Sequence, residues 1–240
     1  MLVCPTCAFE NDDFSTVCAN CKSFLQNRVP NLNLFETAWG VIEAPRTTFR
    51  TIVLAEHKNY SFFLFVCFGI ALSFTAFWYF KLGELFDTLL DLIPWAFGTG
   101  VAVGLVSAVL FSALYHGTAR LLGSSMRFRN SFALLAYSLV PIALSLVLVL
   151  PIELLTFGMY LFTANPHPWV IKPVSYAMLL GFDTVIAFWS IALAVLGTSV
   201  VHRFSFSKSI VTVMILLSSL AALFLGGSPH LVQLLRTAGE

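Results

Sequence analysis

Charge is what this chain lacks most. Asp, Glu, Lys and Arg make up 10% of its 240 residues, against roughly 25% in an ordinary water-soluble domain. That deficit excludes a chain whose whole surface meets water. The formal net charge is only +1, so the positive field that gathers nucleic acid is missing as well. No basic segment with a short apolar stretch opens the sequence. The first long apolar run is therefore expected to act as an uncleaved anchor and not as a removable signal. The motifs of common catalytic sites are missing too: no HExxH, no glycine-rich loop ending in Lys-Ser/Thr, no GxSxG. Without a nucleophile and base to pair, the chain reads as no enzyme.

What is present is apolar. Hydrophobic residues make up 58% of the chain, and 24 residues are Phe. A spanning helix needs about 20 apolar residues. Runs of that kind occur at 61–80, 94–115, 132–150, 184–201 and 210–226. The expected fold is therefore an all-α polytopic membrane protein with five transmembrane helices. The membrane domain is expected to cover residues 60–226, with a short external tail at 227–240. Ile152–Ala164, after Pro151, is apolar but too short to cross on its own. It is expected to be re-entrant or to lie in the outer leaflet.

Lys and Arg decide orientation. Lys22, Arg28, Arg46, Arg50 and Lys58 precede the first run. Arg120, Arg127 and Arg129 lie between the second and third, and Arg203 and Lys208 between the fourth and fifth. The other side holds only Lys81, Lys172 and Arg236. This bias places the N-terminus in the cytosol and the C-terminus outside the cell membrane.

Four of the five cysteines fall in the first 21 residues: Cys4, Cys7, Cys18 and Cys21, in the pairs CPTC and CANC. Each CxxC turn points two thiolates at one ion, the pattern of tetrahedral zinc. Residues 1–28 are thus read as a ribbon holding one structural Zn2+. Two disulfides are the alternative, and they need an oxidising compartment. The segment resembles short zinc ribbons of the form CPxCG…FCxxCG, with Ala8 and Lys22 standing where glycine usually follows each knuckle. Its Lys22 and Arg28 face Glu10, Asp12 and Asp13. A cytosolic protein partner or a purely structural role is therefore expected, not nucleic-acid binding. The fifth cysteine, Cys67, reads as a small packed hydrophobe. The polar stretch at 26–33 is expected to let ribbon and bundle fold separately.

Residues 29–59 read as a linker with amphipathic helices. Phe35, Trp39 and Ile42 recur at helical spacing, and a second helix starts at Pro45 with Phe49, Ile52 and Val53 on one face. They suit the headgroup layer, or equally a position packed on the ends of the spans. In the second run, Ala96, Gly100, Gly104, Ala108 and Ser112 form a small-residue ladder. Gly100 and Gly104 are read as packing positions within the chain first and as a homo-oligomer contact second. Glu153, His167, Lys172 and Asp183 fall near the outer face and form a candidate polar group, with Asp183 expected to cap a helix starting at Thr184.

Several segments then resemble one family. EAPRTTFRTI at 43–52, LLGSSMRFRNSFALLAYSLVP at 121–141, Asp183, Trp189 and Gly197, and Ser207–Lys208 are together similar to the bacterial Yip1-domain family. The likeness covers roughly residues 35–226, with Ser124 where that family usually has a second glycine. It implies five spans and a cytosolic N-terminus. Eukaryotic relatives associate with Rab GTPases in vesicle traffic, a role that a shared fold does not carry over. The function expected is a non-catalytic scaffold in the lipid bilayer whose ribbon recruits a partner. A small-solute transporter with the outer polar group at its mouth is the alternative.

Overall fold

A computed structural model describes residues 1–27 and 29–238, with side chains placed through residue 226. The N-terminal part is built from turns. Strand β1 (Leu2–Val3) pairs antiparallel with β2 (Glu10–Asn11). A second short hairpin closes on Val17 and Phe24. Strand β3 (Val29–Asn31) then pairs in parallel with β4 (Ala55–His57). A parallel pair needs a crossover, and helices α1 (Leu34–Glu43) and α2 (Pro45–Leu54) supply it.

Local chemistry fixes both helices. The Asn33 side-chain oxygen Oδ1 accepts from the N–H groups of Phe35 and Glu36 and caps α1. Pro45 sits at the first position of α2, where its missing N–H costs nothing. The Lys58 ammonium donates to the carbonyls of Ile52, Val53 and Ala55, closing the C-terminus of α2 where the helix dipole favours a cation. Burial first, and then Arg129, lowers the Lys58 pKa to about 8.

The two helices take different roles. On α2, Phe49 and Ile52 are 0% and 1% exposed. Phe49 lies over Gly197, where a Cβ would come 3.0 Å from its ring. This helix is therefore docked on the bundle through that face. On α1, Phe35 and Trp39 are 84% and 68% exposed.

Five spans follow, each long and apolar enough to cross a bilayer, as the sequence predicts. They are α3 (Ser61–Tyr79), α4 (Leu89–Leu121), the pair α5 (Phe128–Ser138) and α6 (Val140–Phe157), α8 (Pro173–His202) and α9 (Phe206–Ala238). The spanning part of α9 is Phe206–Gly226. A four-residue helix, α7 (Pro168–Ile171), precedes α8.

Three boundaries differ from the sequence reading. Ile152–Ala164 is neither re-entrant nor a separate interfacial segment: α6 passes through Pro151 to Phe157 and continues as a 3-10 turn at Gly158–Phe162. Proline removes one helix bond, whereas unwinding in hydrocarbon would strand several backbone groups. Helix α8 starts at Pro173, not Thr184, so Asp183 lies within a helix and caps nothing. Residues 227–238, expected as a tail, are helical and continue α9 past its spanning part.

Helices α3 and α4 pack closest. A Cβ on Gly69 would fall 2.2 Å from the Gly104 nitrogen, and one on Gly104 would fall 2.7 Å from the Phe65 carbonyl oxygen. Gly100 meets Ile70 in the same way, at 2.5 Å. All five ladder residues of α4 are buried.

This contact yields a matched pair of substitutions. Gly69→Ala should lower thermal stability in detergent by about 1–3 kcal/mol, the cost of overpacking. Gly98→Ala, with nothing within 4 Å, should leave stability unchanged or gain up to about 1 kcal/mol from helix propensity. Equal effects of the two would contradict the backbone contact.

Candidate metal centre and membrane cavity

The two knuckle turns bring four thiols together. The sulfur atoms of Cys4, Cys7, Cys18 and Cys21 all lie within 4.8 Å of one another. Cys4 and Cys21 are 3.6 Å apart, as are Cys7 and Cys18. A disulfide needs about 2.05 Å, so neither pair is one. Tetrahedral zinc with Zn–S bonds of about 2.3 Å sets its sulfurs about 3.8 Å apart, and the observed spacing fits. The donor set is the right chemistry: four soft ligands and no competing carboxylate in the cluster.

Polar groups around the sulfurs favour the thiolate at Cys4 and, against burial, at Cys18. The Cys7 pKa, despite the Phe9 backbone contact, is pushed up to about 11 by burial and the neighbouring thiols. The Ser23 hydroxyl lies 3.0 Å from both Cys4 and Cys21 and has one proton to donate. That contact first, with backbone N–H groups of the knuckle, brings the Cys4 pKa down to about 5. The Asn11 amide reaches the Cys18 sulfur, while its oxygen accepts from the Ala19 N–H.

Each knuckle closes on a residue with positive φ. Ala8 has φ 55° and Lys22 has φ 61°. Their N–H groups donate to the carbonyls of Cys4 and Cys18. The turns thus keep the left-handed conformation that glycine would adopt freely, at a cost of roughly 1–2 kcal/mol per residue. At the α4–α5 turn only Gly123 needs positive φ, at 98°. Ser124 beside it instead uses its side chain, with Oγ 2.6 Å from His202 Nδ1.

The ribbon does not float free: it touches the bundle. Arg203, at the end of α8, pairs with Asp12 at 2.5 Å and reaches Asp13 at 3.8 Å. Its guanidinium also stands over the Phe14 ring, 5.1 Å from the centroid. Arg50 of α2 donates to the Asp13 carbonyl. The polar stretch hides this contact from sequence inspection, because its partners are 191 residues apart.

At the other end of the bundle, α3, α6 and α8 surround a cavity of about 380 Å³. Phe74, Trp78, Ser145, Glu153, Tyr176 and Asp183 are among its lining residues, so Glu153 and Asp183 line the same cavity. The Ser145 hydroxyl donates to Asp183 at 2.8 Å, and the Trp78 indole donates to the Tyr176 hydroxyl at 3.1 Å. The structure thus brings together two of the sequence-predicted outer residues. It places His167 differently: its Nδ1 accepts from the Trp169 N–H and caps α7, while its ring meets Tyr176 edge-on. Lys172 donates to the Thr156 carbonyl.

One buried polar chain escapes sequence reasoning. Ser131 lies 2.9 Å from His116 Nδ1 and 3.4 Å from His202 Nε2. Near it, Tyr115 and Thr198 hydroxyls meet at 2.7 Å. These residues join α4, α5 and α8 at the ribbon end. The signal that was legible was a histidine near the end of each of two apolar runs.

A family model described as the Yip1 domain matches residues 39–228. No curated protein and no solved structure matches the chain.

Two outcomes follow from the ribbon geometry. Ala8→Gly should stabilise the metal-bound ribbon by about 0.5 kcal/mol, strain relief less the entropy of glycine, read as slower metal loss to a chelator. Arg203→Ala should undock the ribbon and speed proteolysis between residues 26 and 33 at least severalfold, with the spans still resistant. Unchanged cleavage would show that the clasp does not hold.

Proposed function

The chain belongs to the Yip1 domain family, and on that premise we propose that it is a non-catalytic membrane scaffold whose zinc ribbon presents a fixed docking surface to a cytosolic protein. The observation that carries this reading is the Arg203 clasp onto Asp12, Asp13 and Phe14. Whatever binds the ribbon is then held at a set place against the bundle. Val3, Phe9, Val17 and Phe24 are all exposed on the ribbon, which supplies the apolar area that protein partners use.

Cys4, Cys7, Cys18 and Cys21 would hold one zinc ion. With four sulfur ligands the ion has no open position for water, so its contribution is structural. It supplies folding energy that a segment of this size cannot obtain from a core. The Lys and Arg bias supports a ribbon in the cytosol and a C-terminus outside the cell membrane. Gly100 and Gly104 pack on α3, so a homo-oligomer would have to use another face.

Purified protein should carry about one zinc per chain by elemental analysis. Cys18→Ser should lose that zinc and the capture of a cytosolic partner, with all five spans still inserted. Zinc-free wild-type protein, or a partner captured equally by the variant, would refute the reading. A reporter fused after Glu240 should be active only outside the cytosol. Cytosolic activity would reverse the assigned orientation.

A further inference from the structure

The cavity among α3, α6 and α8 goes beyond the scaffold role. Its volume of about 380 Å³ lies in the range of small-molecule sites, about 300–1,000 Å³. Most of its wall is apolar, with Phe68, Phe74, Trp78 and Phe162 among the lining side chains. Two carboxyl groups, Glu153 and Asp183, face into this apolar space. Both belong to spans, where an unpaired charge costs several kcal/mol.

No basic side chain on the wall pairs with them. Among the described residues that line the cavity, none is basic. Of the lysines at this end of the bundle, Lys172 donates to the Thr156 carbonyl. The Lys81 ammonium has no hydrogen-bond partner among the described residues and stands 5.4 Å from the ring of Trp78 on the cavity wall. Ser145 offers Asp183 a single hydrogen bond. The cavity therefore presents a negative pole inside an aromatic enclosure.

That combination discriminates among cations. A hard metal ion wants six or more oxygen ligands. Here the hydroxyls are already engaged within the protein. Ser145 donates to Asp183, Thr75 and Thr184 donate to carbonyls of their own helices, and Tyr176 accepts from Trp78. That leaves two carboxyl groups set among carbon. An ammonium on an apolar body matches both features. Its charge meets the carboxylates, and aromatic faces attract the cation and cover the body. We propose that this cavity is a binding site for a small hydrophobic amine, with Glu153 and Asp183 receiving the ammonium and Trp78, Phe74 and Phe162 enclosing the rest.

The test uses the full chain in phosphatidylglycerol nanodiscs, so that no lipid ammonium competes. The probe is benzyltrimethylammonium, followed by calorimetry, with neopentylbenzene as its uncharged counterpart. The expected result is saturable binding of one probe per chain and at least tenfold weaker binding of the neutral compound. Glu153→Gln with Asp183→Asn should lose at least tenfold. Because that double variant also alters the fold's polar contacts, Ala71→Phe provides a second check. It fills the cavity, leaves both charges, and should abolish binding. Asp87→Asn, an exposed carboxylate outside the cavity, should bind as wild type. Absence of saturable binding, equal binding of the neutral compound, or full affinity in the double variant would overturn the proposal. The last outcome is the one expected if the two carboxyls simply share a proton. Transfer to phosphatidylcholine nanodiscs should leave the affinity unchanged. A tenfold loss there would give the site to a lipid headgroup and overturn the small-amine assignment.

Discussion

Hydrocarbon cannot hydrogen-bond a peptide group, and the rest of this structure follows from that constraint. Every N–H and C=O at membrane depth needs a partner within the protein. Five spans meet the requirement as helices. The same rule explains why Pro151 does not end α6. A proline forfeits one bond, whereas a re-entrant loop would forfeit many. It also explains the hydroxyls along the spans. Thr75, Thr99, Thr118, Ser138 and Thr184 each donate to a carbonyl of their own helix, so their polarity is consumed locally.

Outside the bilayer the problem is reversed. The first residues are too few to bury a core, and a cluster of four thiols takes its place. Organising this cluster demands two left-handed residues, and the sequence meets the demand with Ala8 and Lys22, not glycine. The strain is tolerable because metal ligation would over-determine the turn geometry. The ribbon then borrows a further restraint from the bundle through Arg203.

Long-period features were legible in the sequence. Spans show as uninterrupted apolar runs, and the ligand set shows as two CxxC pairs. The small-residue ladder pointed to α4 as a packing helix, but only the structure shows that its partner is α3, through Gly69. What stayed hidden depends on tertiary distance. Asp183 reads as a cap if the fourth span starts at Thr184. With the helix beginning at Pro173, it becomes a mid-helix carboxylate beside Ser145. His167 lies near Glu153 and Asp183 in hydropathy terms, yet its ring is spent on capping α7. Arg203 reads as an orientation marker, and its pairing with Asp12 spans nearly the whole chain.

Helix α8 touches both ends of the molecule. It has 30 residues, and at 1.5 Å per residue it is a rod of about 45 Å. Asp183 stands on the cavity wall partway along it, and Arg203 grips the ribbon just past its last turn. A rod held in this way is a lever. A tilt of roughly 5° about its middle carries each end through about 2 Å, more than a hydrogen-bonded ion pair tolerates. The seating of the ribbon and the lean of α8 are therefore geometrically coupled through Arg203.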